Sequence, residues 1–186
     1  MSPFRLREAA RRLRRGAVLA YPTEAVYGLG CDPSNAAAVY RLLAIKGRSP
    51  AKGLILIAAE FGQFGPYVQA LDEGHRMAEI LASWPGPNTW LLPATKACPS
   101  WLTGRHTTLA VRVTAHPIAA ALCRAAGTPI VSTSANRSGR PPARTALQVR
   151  LRCGGAPDLV LHGSTGGLSR PTTIRDAATG AVIRGD

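Results

Sequence analysis

The chain opens with apolar residues at helical spacing and continues into a short, uninterrupted apolar run. Over Phe4–Arg15, apolar residues at positions 6, 9, 10 and 13 form one narrow face among arginines, which predicts a helix ending at Gly16. Ala17–Tyr21 is apolar throughout and precedes Pro22, as is typical of a buried strand. The sequence therefore predicts a helix followed by a strand at its start.

A second helix is predicted after a loop. After the first strand, the sequence as far as Pro33 is predicted to be a loop. The next segment, Asn35–Ile45, carries apolar residues at positions 36, 39, 40, 42 and 43, which is helical spacing. Ser34 or Asn35 has the side chain of a helix N-cap.

The remaining elements continue this mixture of strands and helices. We predict strands at Leu54–Ala58, Trp90–Leu92, Leu109–Val113, Ile130–Thr133, Leu159–Leu161, Thr172–Arg175 and Ala181–Arg184. We predict helices at Arg76–Ser83, Pro117–Ala126 and Thr145–Arg152. This order indicates an α/β or α+β fold, with one twisted, mixed parallel and antiparallel sheet flanked by helices. The connection Asp176–Gly180 predicts a hairpin, so at least one strand pair is antiparallel.

Length and composition favour a single domain over residues 1–186. With 46% hydrophobic and 18% charged residues, the chain can bury a core and does not resemble a disordered sequence. Its 23 lysines and arginines against 10 acidic residues give a net charge of +13, and only Lys46, Lys52 and Lys96 are lysines. Such a field attracts nucleotides, phosphates or RNA, although a solvated arginine-rich surface would give the same charge.

What the sequence lacks excludes several classes of protein. The four cysteines lie far apart with no zinc-like spacing, which predicts reduced, mostly buried thiols in a cytoplasmic protein. No run approaches the ~20 apolar residues that a membrane helix needs. Phosphate-loop, dinucleotide-binding, zinc-protease and nucleophile-elbow motifs do not occur. We therefore expect no metal site built from protein ligands, no organic cofactor and no membrane partner.

Four segments carry more hydroxyl, glycine, proline and cationic side chains than a core or an ordinary loop needs. They are Tyr21–Gly30, Lys46–Arg48, Ser132–Gly139 and Gly163–Ile174. The first and third follow predicted strands, where open sheets bind ligands, although their residues are also common in plain turns. The last is either a mobile lid or a long linker.

The cationic pair Lys46 and Arg48 has two interpretations. Cations at the end of a helix are favoured by the helix dipole, which would give the pair a purely structural role. Alternatively, a lysine point charge and a planar arginine fork separated by glycine can bind different oxygens of a polyphosphate.

These segments, taken in order, resemble a known family. With Trp84–Thr89, Ala110–Arg112 and Pro171–Ile174, they are similar to the YrdC-like family over nearly the whole chain. The sequences of two further segments, Lys52–Ile57 and Trp101–Arg105, resemble those of the family's short bacterial TsaC branch. The resemblance implies a twisted mixed sheet with a basic concave face.

The resemblance also implies an activity, that of a threonylcarbamoyl-AMP synthase. Such a nucleotidyltransferase joins L-threonine, bicarbonate or CO2, and ATP, and releases pyrophosphate. Its product serves the threonylcarbamoyladenosine modification of tRNA beside the anticodon, and downstream tRNA-threonylcarbamoyl transferase proteins carry out the transfer. Because this chemistry depends on positioning and charge neutralisation, the missing nucleophile motifs are consistent with it.

Site residues follow from the resemblance by position in its motifs. The catalytic pair would be Lys46 and Arg48, holding the phosphates of ATP with Mg²⁺. ATP binding would be completed by Ser134 and Asn136. The L-threonine pocket would be formed by Thr23, Arg112, Ser132 and Thr172, with Arg112 on the threonine carboxylate.

Two other functions stay open from the sequence. A basic protein that binds double-stranded rRNA or tRNA without catalysis fits the charge, although 5% aromatic residues give few surfaces for base stacking. Related adenylate chemistry also serves carbamoyl transfer in hydrogenase maturation, but the accessory domains of those proteins have no counterpart in this sequence.

Overall fold

The structure, a computed structural model, describes residues 1–71 and 75–184, without the side chain of His75. The helices are α1 Pro3–Arg14, α2 Ala36–Lys46, α3 His75–Ala82, α4 Ser100–Thr103, α5 Pro117–Ala126 and α6 Ala146–Cys153. The strands are β1 Leu19–Pro22, β2 Tyr27–Gly30, β3 Ile55–Ala58, β4 Asn88–Pro93, β5 Thr108–Val113, β6 Ile130–Ser134, β7 Leu159–Val160, β8 Thr173–Asp176 and β9 Val182–Arg184.

One mixed sheet of nine strands organises the described residues. The strand order is β7-β1-β2-β6-β3-β5-β4-β8-β9. The pairs β1/β7, β3/β5 and β4/β8 are parallel, and the other pairs are antiparallel. The predicted fold class is therefore confirmed, as is the β8–β9 hairpin at Asp176–Gly180.

Helices cover both faces of the sheet. Alternate residues of a strand point to opposite faces, so Leu56 packs into the core on one face and Ile57 into the core on the other. On the second face, α1 and α5 supply small residues such as Ala9 and Ala119, whereas α2, α3 and α6 cover the first. The arginines of α1 point to solvent.

The predicted loop from Pro22 to Pro33 is wrong in its second half, which contains β2. This strand pairs with β1 and also with β6, so it lies inside the sheet and not at an edge. Its glycines hide it from a search for β-branched residues, yet the packing requires one of them. A Cβ on Gly30 would lie within 3.0 Å of the carbonyl oxygen of Val131.

Short helical segments near residues 50, 61 and 100 were also not predicted. Two of them, Phe61–Phe64 and α4, have four residues, and Pro50–Lys52 has three. An element of that length has no helical period to detect.

The ends of α2 set the geometry of the cationic pair. The side chain of Asn35 accepts a hydrogen bond from the amide of Ala38 at 3.0 Å, so Asn35 is the N-cap. Gly47 adopts a left-handed conformation with φ of 59°, which ends the helix directly after Lys46.

The thiols are as predicted: Cys31, Cys123 and Cys153 are buried and Cys98 is half-buried, and all are free. No helix in the described part of the chain has the length and apolar character needed to cross a membrane.

Candidate active site

A cleft of about 460 Å³ brings together all the site residues named from the sequence. It is lined by Thr23, Lys46, Arg48, Arg112, Ser132, Ser134, Asn136 and Thr172. The sheet produces this arrangement, because β6 lies between β2 and β3 and β5 follows β3. Side chains from distant parts of the sequence therefore face one space.

A larger cavity of about 690 Å³ lies between α1 and β7, away from these residues. Its carboxylates, Glu8 and Asp158, already form ion pairs with arginines. It contains none of the hydroxyl-rich segments, so we take the smaller cleft as the candidate active site.

Lys46 is buried at 3% exposure and reaches across to the loop that follows β6. Its Nζ donates to the carbonyl oxygens of Ser134 at 2.5 Å and Asn136 at 2.9 Å, and to Oδ1 of Asn136 at 3.0 Å. Burial, followed by the positive charge of Arg48, lowers the pKa of Lys46 to about 8. The Lys46 side chain thus holds the loop after β6 that lines the cleft. An interaction with the dipole of α2 alone does not account for these contacts.

Arg48 lies half-buried on the other side of Gly47. Its Nη2 donates to the carbonyl oxygen of Gly53 at 2.9 Å. Its Nε is buried and has no hydrogen-bond partner among the described residues. The Arg48 guanidinium is therefore held through Nη2, while its Nε remains available to donate a hydrogen bond.

Arg112 is buried at 5% exposure and is held from two sides. Its Nη1 donates to Oγ1 of Thr172 at 2.9 Å and to Oγ1 of Thr89 at 3.3 Å. Its Nη2 contacts Oε2 of Glu24 at 3.3 Å. Within the described chain, its Nε has no partner. The guanidinium that the resemblance assigns to the threonine carboxylate thus already has one internal carboxylate beside it.

Glu24 lies in the first of the four segments singled out from the sequence, Tyr21–Gly30, but was assigned no role in the site. Its Oε1 accepts hydrogen bonds from Oγ1 of Thr114 at 2.5 Å and from the amide of Ala115 at 3.1 Å. Burial alone would raise the pKa of Glu24, but the charge of Arg112 and these hydrogen bonds outweigh it and hold the pKa below its ordinary 4.5. Its position after a predicted strand was one signal in the sequence, and the need of a buried guanidinium for a counter-charge is another.

The hydroxyl residues of the cleft are held in place by local hydrogen bonds. Oγ1 of Thr23 donates to the carbonyl oxygen of Val26 at 2.6 Å, so this residue also stabilises its turn. Oγ of Ser134 donates to Oδ1 of Asn136 at 2.7 Å. Ser132 is buried in β6, next to Ile55 across the β3 pairing. These side chains form a rigid polar wall.

Arg184, at the end of β9, is a second residue that sequence reasoning missed. It lines the cleft, and its Nη2 donates to the carbonyl oxygen of Thr172 at 3.4 Å. Partial burial and then the charges of Arg112 and Arg48 lower the pKa of Arg184. Lys52 also lines the cleft, which is therefore strongly cationic and suited to an anionic ligand.

The glycine- and serine-rich segment, residues 163–171, has no regular secondary structure and packs against Thr23 and Glu24; we call it the strap. The amides of Gly166 and Leu168 donate to the carbonyl oxygens of Thr23 at 3.0 Å and Glu24 at 3.1 Å. The guanidinium of Arg144 binds the carbonyl oxygens of the strap at Leu168 and Ser169. The strap is thus attached to the first site segment rather than spanning solvent.

Histidines and carboxylates do not gather into a metal site in the part of the chain that the structure describes. His116 is buried, and its Nε2 lies 3.0 Å from the carbonyl oxygen of Ser164. His106 and His162 are exposed, and the side chain of His75 lies outside the described residues.

Comparisons with known proteins agree with this geometry. Residues 11–185 match the Sua5/YciO/YrdC family, described as "Telomere recombination". A threonylcarbamoyl-AMP synthase of Alkalilimnicola ehrlichii is 59% identical over 184 residues, which are 97% of this chain and 95% of that protein.

Solved structures of the same family have the same fold. P. abyssi Sua5 complexed with L-threonine is 35% identical, with a TM-score of 0.87 over 95% of this chain and 52% of that chain. E. coli YciO is 28% identical, with a TM-score of 0.85 over 98% of this chain and 89% of that chain.

Proposed function

Because the chain belongs to the Sua5/YciO/YrdC family and is an enzyme by its likeness to threonylcarbamoyl-AMP synthases, we propose its reaction and the roles of its cleft residues. L-Threonine, CO2 derived from bicarbonate, and ATP combine to give threonylcarbamoyl-AMP and pyrophosphate. The enzyme acts in the cytoplasm, and its product supplies the threonylcarbamoyladenosine modification of tRNA through separate transferase proteins.

The observation that carries this proposal is a pair of unused guanidinium donors in a cationic cleft. Nε of Arg48 and Nε of Arg112 are buried without hydrogen-bond partners among the described residues. Leaving such a donor unsatisfied costs about 1–3 kcal/mol, so anionic oxygens supplied by a ligand would stabilise both. Two anionic groups, a polyphosphate and a carboxylate, match the two arginines.

The triphosphate lies against Lys46 and Arg48 in this proposal. Arg48 offers its Nε, and Lys46 exchanges its contact with Oδ1 of Asn136 for a phosphate oxygen. The hydrogen bond between Ser134 and Asn136 breaks, and both side chains contact the nucleotide. Arg184, which also lines the cleft, adds positive charge beside the outer phosphates. The cationic lining of the cleft supports this placement of the triphosphate.

Threonine occupies the deeper end, where Arg112 is fixed by Thr172 and Thr89. A carboxylate oxygen accepts from Nε of Arg112, and Nη2 has a second hydrogen because its contact with Glu24 uses only one. Thr23, Ser132 and Thr172 form the walls around the amine and the side-chain hydroxyl.

The chemistry needs no covalent enzyme intermediate. The free amine of threonine attacks CO2, forms an N–C bond and loses one proton, which leaves a carbamate. A carbamate oxygen then attacks the α-phosphorus of ATP, while the bond from that phosphorus to the bridging oxygen breaks. Pyrophosphate leaves with the electron pair, and the cations of the cleft stabilise the charge that develops on it.

Magnesium enters with ATP in this proposal. In the described chain no three histidine, cysteine or acidic side chains form a cluster, and Glu24 is occupied by Arg112, Thr114 and Ala115. The cleft therefore fits a cation held by phosphate oxygens and water, as Mg²⁺ prefers. Mg²⁺ would neutralise phosphate charge beside Lys46 and Arg48.

The proposal is tested by pyrophosphate release from Mg–ATP, which should require both L-threonine and bicarbonate. Lys46→Ala and Arg48→Ala should each lower kcat/KM by about a hundredfold or more, since a preorganised charge at the leaving group is lost. Lys96 is exposed and does not line the cleft, so Lys96→Ala is the matched control and should keep full activity. Release independent of threonine, or full activity of Lys46→Ala, would contradict the proposal.

A further inference from the structure

Glu24 lies directly behind the cleft and not in its lining. The side chain is 7% exposed, and its two carboxylate oxygens serve different partners. Oε2 contacts Nη2 of Arg112, while Oε1 accepts from Thr114 and from the amide of Ala115. The carboxylate thus joins the first site segment to the end of β5.

The position of Arg112 depends on this carboxylate. Its Nη1 is fixed by two threonine hydroxyls, and Glu24 fixes its Nη2, so the guanidinium plane cannot rotate. The only donor nitrogen of Arg112 without a partner among the described residues is then Nε. A fixed guanidinium loses less conformational entropy when a carboxylate binds.

Glu24 also contacts the strap through its backbone. Its carbonyl oxygen accepts from the amide of Leu168 at 3.1 Å. A Cβ on Gly166 would lie 3.0 Å from Cα of Glu24, so the strap approaches this residue as closely as glycine allows. His116, next to Ala115, holds the strap again at Ser164. One residue therefore connects Arg112, the end of β5 and the strap.

We propose that Glu24 is a positioning residue that holds Arg112 in the orientation needed for the threonine carboxylate and links that orientation to the strap. The inference rests on the proposed function, because it takes threonine as the ligand of Arg112. Its carboxylate reduces the net charge at Arg112, so its contribution is orientation rather than attraction. The phosphate end of the cleft, at Lys46 and Arg48, does not depend on it.

The test compares dissociation constants for L-threonine and for a non-hydrolysable ATP analogue, measured by calorimetry on wild type and Glu24→Gln. The two carboxylate oxygens of Glu24 accept from Arg112 on one side and from Thr114 on the other. A glutamine side chain has only one oxygen, so its NH₂ group would face a donor on one of these sides. The dissociation constant for threonine should rise by about tenfold or more, as expected for losing a charge-assisted hydrogen bond. The constant for the ATP analogue should stay within about twofold.

Two further variants complete the experiment. Glu60 is an exposed glutamate, so Glu60→Gln is the matched control and should leave both constants unchanged. If Glu24→Gln does not fold, Thr114→Val, which removes the donor to Oε1, replaces it under the same criterion.

The outcomes separate this inference from the proposed function. A wild-type protein that does not bind threonine contradicts both. If the wild type binds threonine and the Glu24→Gln variant binds it equally well, only the role of Glu24 is contradicted. The same holds if the variant loses affinity for threonine and for the ATP analogue in equal measure. A selective loss for threonine supports it.

Discussion

At the residue scale, the cleft is built from charges that are buried before any ligand arrives. Lys46 is surrounded by oxygen atoms of the loop after β6, and Arg112 by hydroxyls and Glu24. These contacts fix the cations in place, so little reorganisation is needed when phosphate or carboxylate binds. The same burial lowers the pKa of Lys46 to about 8, into a range where its charge responds to pH.

A pH dependence of nucleotide binding follows from Lys46. In the proposed function ATP binds the protonated amine of Lys46, and the fraction of Lys46 that is protonated falls as pH rises through about 8. Affinity for ATP should therefore fall about tenfold between about pH 7 and about pH 9, with proton uptake on binding in that range. Calorimetry in buffers of different ionisation enthalpy measures both effects.

The matched variant is Lys46→Arg, whose guanidinium stays charged over the same range. It should bind ATP less tightly, because the longer side chain cannot keep the same three contacts, but without the pH dependence. An identical decline in the variant would assign the titration to another group.

At the element scale, the strand β2 carries the largest difference between expectation and structure. Its pattern Tyr27–Gly30 has too few branched residues to predict a strand, although it lies in the middle of the sheet. The long helices α2 and α5 were predicted closely because their apolar faces repeat over several turns and Gly47 and Gly127 end them. Local pattern thus predicts helices, whereas β2 depends on neighbours distant in sequence.

The close packing of β2 predicts the effect of a single methyl group. In Gly30→Ala, the Cβ would lie within 3.0 Å of the carbonyl oxygen of Val131 and the hydroxyl of Tyr21. Because backbone must move to relieve this overlap, the free energy of unfolding should fall by about 2–3 kcal/mol. Denaturant titration measures the loss.

Gly62 provides the control, since nothing lies within 4 Å of a Cβ built there. Gly62→Ala should change the free energy of unfolding by less than about 0.5 kcal/mol. Equal stability of the two variants would contradict the close approach of β2 and β6.

The site shows the same division between local and tertiary information. Ordered motifs named residues from five parts of the chain, and the structure brings them into one cleft. Glu24 and Arg184 were assigned no role in the site, because their importance depends on being next to Arg112 and Thr172. A pairing across the sheet is invisible in a single sequence unless a motif already includes both partners.

At the scale of the whole molecule, the net charge of +13 has two parts. A small set of cations, including Lys46, Arg48 and Arg112, lines the cleft, whereas the arginines of α1 are exposed and do not line it. The cleft cations fit a small-anion site. Direct contact of the protein with tRNA stays a prediction, and the exposed arginines are its candidate surface.

This division predicts that surface charge and activity are separable. Arg7 on α1 and Arg15 directly after it are exposed, so the double variant Arg7→Gln/Arg15→Gln should release pyrophosphate at a rate within about twofold of wild type. If α1 contacts RNA, a gel shift of tRNA should weaken steeply with salt and weaken further in the variant. A large loss of pyrophosphate release in this variant would contradict the assignment of activity to the cleft alone.

The central claim is that this cleft joins threonine, CO2 and ATP into one product. The most direct measurement is mass spectrometry of the reaction of purified protein with Mg–ATP, L-threonine and isotopically labelled bicarbonate. We predict threonylcarbamoyl-AMP that carries the label in its carbamoyl carbon, formed by wild type and lost in Arg112→Ala. Pyrophosphate release without a labelled adenylate, or no adenylate above the enzyme-free reaction, would contradict the account.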